Sequence, residues 1–351
     1  MRITFVLPTP GMNGGTRVLA IYAKALVDMG HKVVLVSVPI AQTRFLHRLQ
    51  DIAGLRDLPR SHLDGLGLDH RVLKTWRPVV DADVPDADII VATWWETAEW
   101  VASMSPRKGG KVYFVQGHEV FHDSIAARCQ ATYRLPMRKI VVARWLKDVM
   151  AASYGDHDAV IVPNSVDQKQ FHAPPRGKQD RPTLGFLYSH SSVKGTDLAL
   201  RVVDELRRRI PDLRVISFGS DQPSEMPMPG IEFSHSPAQY RLRDLYASCD
   251  LWLTASRSEG FNLTAMEAMA CRTPVVATRT GWPEDAIVNR SNGICVDIDD
   301  LQALIEATHW VLGLDDPRWR DLSRAAFETV KDASWERSAK EFEQALIGFA
   351  Q

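Results

Sequence analysis

Cysteine, net charge and long apolar runs are all scarce in this sequence, and each scarcity argues against a class of protein. The four cysteines, Cys129, Cys249, Cys271 and Cys295, are far apart and form no C-x-x-C pair, so neither a disulfide framework nor a cysteine metal site is expected. The net charge of -1 argues against the basic field of nucleic-acid-binding proteins. No run reaches about 18 apolar residues, and the N-terminal apolar run is too short for a signal peptide. We therefore expect a cytoplasmic protein that neither spans a membrane nor binds nucleic acid.

The length of 351 residues exceeds what one hydrophobic core usually serves, which favours two domains. Short β-branched runs alternate with longer amphipathic stretches, the pattern of βαβ units and parallel sheets. The pattern begins at Ile3–Leu7 and starts again at Thr183–Tyr188. We predict an α/β chain with domains at residues 1–170 and 171–333 and a final helix at 334–351. Further strands are predicted at 33–38, 89–93, 112–116, 159–162, 215–218, 251–254, 274–277 and 293–296.

Two stretches depart from this pattern. The polar, proline-rich segment at 172–182 has the composition of a linker. Residues 41–72 have a less regular pattern, which predicts helical pieces and loop rather than core sheet.

The segment at 256–277 contains two glutamates, Glu259 and Glu267, separated by seven residues that should start a helix. Eight positions along a helix span roughly 12 Å, similar to the distance from the sugar of a nucleotide sugar to its ribose. A carboxylate suits a ribose diol because its two oxygens accept two hydroxyl hydrogens. Backbone N–H groups around Gly260 and Phe261 would face an anion. The alternative interpretation is a pair of solvated glutamates on an ordinary helix.

Lys194, followed by Gly195, lies between the first strand of the second domain and the helix that follows it. An ammonium group beside a helix N-terminus is suited to hold the phosphates of a leaving nucleoside diphosphate. The alternative interpretation is a solvated surface lysine.

In the first domain, Gly14 and Gly15 follow the first strand, and His118 follows the strand that ends at Gln116. Ligands bind at the carboxyl edge of α/β sheets, which makes both places candidates for a binding site. A plain βα turn and a structural histidine are the alternative interpretations.

The segment from Glu259 to Ala277 resembles retaining glycosyltransferases of family 4, whose pattern is E-G-F-G-x-x-x-x-E-A-M-A-x-G-x-P-V-V-A. It departs from that pattern at Asn262 and Arg272, where the family favours glycine. The resemblance extends to three further segments, which lie at 161–171 (with Ser165 for a usual glycine), at 282–284 with 292–293, and at 334–336. Together they cover most of residues 160–351, whereas residues 1–158 match more weakly.

This resemblance implies a GT-B fold, in which two Rossmann-like domains face each other and the last helix crosses back to the N-terminal domain. It implies transfer of a sugar from a nucleotide-diphosphate donor to a glycan, glycolipid or small-molecule acceptor, with retention of the anomeric configuration. The reaction is expected to need neither a metal ion nor a cofactor. His118, Lys194 and Glu259 are the expected catalytic residues. The expected donor-binding residues are Gly14, Gly15, Ser189, His190, Lys194, Gly219, Arg257, Glu259, Gly260, Phe261, Asn262, Leu263 and Glu267.

Ser189 is a notable departure, because family members commonly carry an arginine five residues before the lysine. Arg257 or His190 would have to replace that cation, or turnover would be slow. Three Asp-x-Asp pairs, at 81–83, 86–88 and 297–299, match the pattern of metal-dependent glycosyltransferases. We interpret them as loop acids beside strands.

Two basic and apolar regions suggest contact with anionic lipid or a lipid-diphosphate acceptor, with peripheral contact at the inner membrane surface. Amphipathic helices with a solvated basic face are the alternative. One region comprises Arg128, Tyr133, Arg134, Leu135, Met137, Arg138, Lys139, Arg144, Trp145 and Lys147. The other comprises Arg44, Phe45, Leu46, Arg48, Leu49, Leu55, Arg56 and Leu58.

Three other functions compete with sugar transfer. A sugar-nucleotide epimerase can share the architecture and would convert the donor without an acceptor. A non-catalytic nucleotide-sugar-binding subunit is suggested by Ser189 and Arg272. An NAD dehydrogenase is disfavoured, because no G-x-G-x-x-G with a later acidic residue follows either first strand.

Overall fold

The computed structural model describes residues 1–39, 61–120, 123–223 and 229–350. The chain divides into two compact units. The first contains residues 1–142, 146–162 and 336–351, and the second contains residues 143–145 and 163–335.

The first unit is built on a parallel sheet of seven strands in the order β3-β2-β1-β4-β5-β6-β7. Its strands are β1 (Arg2–Leu7), β2 (Lys32–Ser37), β3 (Asp69–Val72), β4 (Ile89–Ala92), β5 (Gly110–Val115), β6 (Arg138–Val141) and β7 (Val160–Ile161). Its helices are α1 (Gly14–Asp28), α2 (Trp95–Ser103), α3 (Asp123–Thr132), α4 (Arg144–Tyr154) and the C-terminal α11 (Trp335–Ala350). The first two residues of α4 and the first residue of α11 are assigned to the second unit. The central strands are continuous apolar runs because parallel sheets are covered on both faces.

The C-terminal helix packs on the first unit, as predicted. Phe342 of α11 stacks on Tyr22 of α1 with ring centroids 4.5 Å apart, and its ring is 5.1 Å from that of Phe114 on β5. His31 Nε2 lies 2.6 Å from a carboxylate oxygen of Glu343. All three aromatic rings are completely buried, so α11 is part of this core.

The second unit has a parallel sheet of six strands in the order β10-β9-β8-β11-β12-β13. Its strands are β8 (Thr183–Leu187), β9 (Arg214–Gly219), β10 (Ile231–His235), β11 (Leu251–Thr254), β12 (Val275–Thr278) and β13 (Ile294–Val296). Its helices are α5 (Thr196–Arg209), α6 (Leu242–Ala247), α7 (Leu263–Ala270), α8 (Trp282–Ala286), α9 (Leu301–Leu312) and α10 (Asp316–Val330). The prediction of two Rossmann-like α/β domains with parallel sheets is confirmed.

The prediction of helix and loop for residues 41–72 is wrong at its end, where Asp69–Val72 forms the edge strand β3. This strand pairs in parallel with β2, and His70 Nε2 lies 2.9 Å from Ser37 Oγ. Its side chains are mostly exposed, so the strand has no apolar alternation that a pattern could detect. Residues 41–60 lie outside the described residues.

The segment at 172–182 is anchored on the second unit. Lys178 Nζ donates to the carbonyl oxygens of Leu312 and Leu314, at 2.6 and 2.8 Å, and Gln179 N donates to Asp250 Oδ1 at 2.8 Å. The compact units divide the chain earlier, between Val162 and Pro163. A polar segment without periodicity can thus be fixed by side chain–backbone hydrogen bonds.

Within the described ranges, no helix combines the length and the apolar composition that crossing a lipid bilayer requires.

Candidate functional site

Residues of the second unit converge at the carboxyl edge of its sheet, where parallel strands place their following loops together. Lys194 ends a 3₁₀ turn, Ser192–Lys194, that leads into α5. Gly195 has φ +64°, and a Cβ atom there would lie 1.9 Å from the carbonyl oxygen of Ala255. Arg257 N donates to Val193 O at 2.7 Å. The lysine turn is therefore packed directly on the loop that follows β11, and glycine is needed for that contact.

Lys194 and Glu259 form an ion pair in this loop. Lys194 Nζ lies 2.9 and 2.8 Å from the two carboxylate oxygens of Glu259, and Ser256 Oγ donates to Oε1 at 2.8 Å. Glu259 N donates to Thr280 Oγ1 at 3.0 Å. The Lys194 side chain is 32% exposed and that of Glu259 is 10% exposed, so a ligand can reach the ammonium more easily than the carboxylate.

Both residues line a small pocket of the second unit together with Thr254, Ser256 and Thr264. The structure thus brings together two of the residues for which sequence predicts a catalytic role. Their roles remain predictions.

Glu267 lies elsewhere on the same segment. Helix α7 begins at Leu263, so Glu259 precedes the helix, and the 12 Å length of eight helical positions does not apply to this pair. Glu267 is 3% exposed, and Tyr246 Oη donates to its Oε2 at 2.8 Å. Its carboxylate is therefore oriented by a buried hydroxyl from α6.

The two departures from glycine in this segment keep the backbone conformation that glycine would have. Asn262 has φ 73° and caps α7, with its Oδ1 accepting from Ala265 N and its Nδ2 donating to Thr254 Oγ1 at 2.9 Å. Asparagine tolerates this left-handed region better than most residues. Arg272 has φ 58°, and its guanidinium lies 4.0 Å from the ring centre of Phe327. The turn before β12 therefore survives the substitution.

Gly260 and Phe261 are held between two tryptophans. Trp145 Nε1 donates to Gly260 O at 2.9 Å, and the ring of Phe261 stacks on Trp282 at 5.9 Å. Gly281, with φ +71°, allows this approach, since a Cβ atom there would lie 2.9 Å from Phe261 O and from Glu259 Cβ. The backbone beside Glu259 is therefore rigidly placed.

Ser189 and His190 contact an acid that sequence reasoning missed. Asp221 Oδ2 accepts from Ser189 Oγ at 2.9 Å and from His190 N at 2.8 Å. The His190 N–H keeps the pKa of Asp221 below its usual value. Asp221 follows β9 and Gly219, whose added Cβ would lie 2.1 Å from Tyr188 O. Its place two residues after a strand-ending glycine is a signal that could have identified it.

Arg257, a candidate substitute for the missing arginine, is held by two acids. Its guanidinium donates to Asp197 at 2.7 and 2.8 Å and to Asp299 at 2.7 Å. The hydrogen bond to Asp197 contributes most to raising the pKa of Arg257. Binding of a phosphate by Arg257 would require these contacts to change.

The candidates of the first unit lie at the carboxyl edge of its own sheet. Gly14 and Gly15 open α1, which Asn13 caps by accepting from Thr16 N at 2.9 Å. His118 follows β5, and its Nε2 lies 2.6 Å from Tyr154 Oη. Burial lowers the pKa of His118. These residues are brought to one edge, but their contact with a substrate remains a prediction.

Each carboxylate of the Asp-x-Asp pairs has a partner within the chain. The partners are Ser105 for Asp81, Arg77 for Asp83, Arg107 and Lys108 for Asp86, Arg2 for Asp88, Arg279 for Asp297 and Arg257 for Asp299. Across the described residues, no group of three or more His, Cys, Asp or Glu side chains could hold a metal ion. The four cysteines are buried free thiols.

The basic region at 128–147 does not form one continuous surface. Lys139 is 4% exposed, and its Nζ bonds Asp156 at 2.6 Å. Tyr133 and Met137 are buried, whereas Arg128 is exposed and pairs with Glu99 at 2.6 Å. The other region, at 44–58, lies outside the described residues.

Comparison with known proteins identifies the family. Residues 181–313, which include Lys194, Glu259 and Glu267, match the family model described as glycosyl transferases group 1. A GDP-mannose-dependent alpha-(1-6)-phosphatidylinositol monomannoside mannosyltransferase of Mycolicibacterium smegmatis is 28% identical over 280 residues, covering 70% of this chain and 72% of the relative. The second unit of the chain therefore matches the group 1 glycosyltransferases over most of its length.

Two other relatives align with this glycosyltransferase over shorter regions. A D-inositol 3-phosphate glycosyltransferase of Corynebacterium urealyticum is 30% identical, with 45% of this chain and 41% of the relative covered. A GDP-mannose-dependent alpha-mannosyltransferase of Corynebacterium glutamicum is 29% identical, with 52% and 46% covered. The alignments thus span less than half the length of these two relatives.

Solved structures share the fold of this glycosyltransferase over nearly its whole length. A sucrose-phosphate synthase from Thermosynechococcus elongatus has a TM-score of 0.76 at 16% identity, with 98% of both chains covered. The Anabaena protein HepE, in complex with UDP and glucose, has a TM-score of 0.76 at 16% identity, with 99% of this chain and 100% of that chain covered. At such low identity, these similarities concern the fold alone.

Proposed function

We propose that this glycosyltransferase moves a hexosyl group from a nucleoside-diphosphate sugar to an acceptor hydroxyl, with retention of anomeric configuration and without a metal ion. The pairing of Lys194 with Glu259 at the start of α5 carries the proposal. The N-cap of α5 is Gly195, which has no side chain to bond the first N–H groups of the helix. An ammonium beside the N-terminus of a helix suits an anionic leaving group.

In the proposed reaction, the acceptor oxygen bonds to the anomeric carbon on the face from which the diphosphate departs. The carbon–oxygen bond to the diphosphate breaks, its electron pair stays with the phosphate, and the acceptor proton passes to that phosphate oxygen. Lys194 would exchange part of its contact with Glu259 for the phosphate and neutralise the growing charge. Glu259 would face the sugar, and Glu267, oriented by Tyr246, would accept from the ribose hydroxyls.

Two observations support metal independence. Lys194 supplies a positive charge where the diphosphate is proposed to lie. The acids of the Asp-x-Asp pairs that could otherwise suggest a cation site are engaged elsewhere, as Asp83 is by Arg77 and Asp299 by Arg257. Addition of EDTA is therefore expected to leave the rate unchanged.

The donor and acceptor are proposed from the relatives. Two of them are named as GDP-mannose-dependent, and two carry inositol in the names of their acceptors. We propose GDP-mannose as the donor and an inositol-bearing molecule, soluble or in a lipid at the cytoplasmic membrane face, as the acceptor.

The first experiment measures the melting temperature with GDP, UDP and ADP. At about 100 times its Kd, a nucleotide stabilises the folded state by about 2.7 kcal/mol, a rise of several degrees, and GDP is expected to give the largest rise. No shift with any of the three would contradict the donor site.

Product assays then separate the candidate functions. GDP-mannose is incubated alone, with D-inositol 3-phosphate, and with phosphatidylinositol vesicles. A mannosylated product supports transfer, and an epimerised donor formed without acceptor supports the epimerase. Nucleotide binding without any product, in the presence of these acceptors, supports a non-catalytic subunit.

A further inference from the structure

The imidazole of His118 is held at one nitrogen by a tyrosine hydroxyl. Tyr154 Oη lies 2.6 Å from His118 Nε2, and the centroids of the two rings are 5.8 Å apart. The guanidinium of Arg134 lies 4.9 Å from the centre of the Tyr154 ring and helps to fix it. Among the described residues, the hydroxyl of Tyr154 has no other hydrogen-bond partner.

The backbone around His118 is fixed by a second tyrosine. Tyr133 Oη accepts from Glu119 N at 2.8 Å and donates to Gly117 O at 3.2 Å, so it bridges the peptide groups on both sides of the histidine. The buried carboxyl of Glu119 accepts from Trp95 N at 2.9 Å, which ties the segment to α2. Both the ring and the main chain of His118 are therefore held in place.

The bond to Tyr154 determines which ring nitrogen carries the proton. Burial lowers the pKa of His118, so the imidazole is neutral near pH 7 and has one donor and one acceptor nitrogen. A phenol hydroxyl is a better donor than acceptor, so the contact favours donation from the Tyr154 O–H to Nε2. The ring proton is then on Nδ1.

We propose that Tyr154 is a positioning residue that fixes His118 in the Nδ1–H tautomer, so that His118 donates a hydrogen bond to a substrate oxygen and does not act as a base. The inference rests on the proposed function, because it takes His118 to contact the transferred sugar or the acceptor. The substrate group at this place is accordingly an oxygen with a free lone pair, such as a sugar hydroxyl.

The groups around the imidazole are mostly neutral. Burial raises the pKa of the Tyr133 hydroxyl and holds that of the Glu119 carboxyl well above its usual value. Burial also raises the pKa of the Cys129 thiol, to about 11. Arg134, behind the Tyr154 ring, is the nearby cation. Loss of the bond from Tyr154 to the neutral imidazole is therefore expected to raise the pKa of His118, which a titration of the imidazole followed by NMR measures.

The first test compares Tyr154→Phe with Tyr22→Phe, which removes another tyrosine hydroxyl from the interior of the same unit. Tyr154→Phe is expected to lower kcat about 10-fold with a smaller change in the donor KM, whereas Tyr22→Phe should leave the pKa of His118 unchanged. Nitrogen NMR of the imidazole should show Nδ1–H in the wild type and a mixture of tautomers in Tyr154→Phe. This arm needs no substrate, so it tests the tautomer even if the proposed function fails.

The second test identifies the nitrogen that acts. The side-chain amide of asparagine can replace Nδ1, and that of glutamine can replace Nε2. His118→Asn is expected to retain at least about 10-fold more activity than His118→Gln, because only the former keeps the donor. Higher activity in His118→Gln, or a Tyr154→Phe variant that matches the wild type in kcat, in the pKa of His118 and in tautomer, would overturn the inference. If His118→Ala is fully active, the role of His118 in the proposed function fails together with this inference, even though transfer itself is measured.

Discussion

The carboxyl edges of the two sheets are built from different chemistry. In the second unit the polar side chains form ion pairs. Lys194 pairs with Glu259, and Arg257 pairs with both Asp197 and Asp299. In the first unit His118 is held by a tyrosine hydroxyl, and its neighbouring peptide groups are bridged by another. Both edges arise from the same βαβ pattern, so the fold alone does not determine what an edge can bind.

The difference in chemistry indicates a difference in task. A partly exposed ion pair can exchange one anion for another at modest cost, because both charges already lie in a polar setting. A buried network of hydroxyls and peptide groups is suited to orienting a neutral group, since leaving any of its members unpaired is costly. The second edge is thus suited to a diphosphate and the first to a hydroxyl-bearing sugar or acceptor.

The largest effect is expected from removing the cation of the second edge. Lys194→Ala should lower kcat/KM by about 100- to 1,000-fold, the usual loss for a group that stabilises developing negative charge, and should weaken binding of GDP. The matched control is Lys24→Ala, which removes an exposed lysine of α1 that pairs with Asp28. Steady-state kinetics and thermal shift measure both. Equal activity of the two variants would contradict the comparison.

The glycine turns of the two edges should differ in their tolerance of a methyl group. Gly195→Ala is expected to destabilise the protein by about 3 kcal/mol or more, because its Cβ would lie 1.9 Å from Ala255 O. Gly14→Ala, for which no atom lies within 4 Å of the added Cβ, should change stability by less than about 1 kcal/mol. Urea unfolding of the two variants tests the difference, and similar losses would show that the turn of the second edge is not closely packed.

Asp221→Asn tests how a negative charge at the carboxyl edge of the second sheet affects stability and the binding of GDP. The folded-state pKa of Asp221 is lowered, so its contribution to stability is present above the unfolded pKa and is lost as the pH falls through the folded pKa. Because the group is partly exposed, we expect less than about 1 kcal/mol, seen as a smaller loss of stability between pH 6 and pH 3 in the variant. The variant should also bind GDP several-fold more tightly, since a negative charge near the diphosphate is removed. Weaker binding of GDP would contradict this placement of the diphosphate.

The smallest effect is expected at Arg272. Arg272→Gly relieves the left-handed conformation at φ 58° but loses the contact with the Phe327 ring and the hydrogen bond from Arg272 Nε to Ala173 O at 3.1 Å. The gain and each loss are about 1 kcal/mol and opposite in sign, so the net shift should stay within about 1 kcal/mol. A larger loss of stability would show that the side-chain contacts of Arg272 dominate.

Sequence reasoning was most successful where a pattern is local. The apolar runs predicted most of the strands, and the segment from Glu259 to Ala277 predicted the family, whereas the ion pair between Lys194 and Glu259 was seen only in the structure. Sequence reasoning failed where structure depends on backbone pairing without apolar residues, as in β3. The strands β6 and β10 were also missed. The roles of the site residues and the boundary at 170 remain predictions.

The alternation of apolar runs by itself determined that this protein has two α/β units with parallel sheets, because few arrangements of strands and helices can bury such runs. The segment from Glu259 to Ala277 determined the family. The tertiary structure alone decided which side chains share hydrogen bonds and charges. Asp221 reaches Ser189 from another strand, and Tyr154 reaches His118 across 36 positions of sequence. Such contacts depend on positions set by the whole packed sheet, and a local sequence pattern carries no record of them.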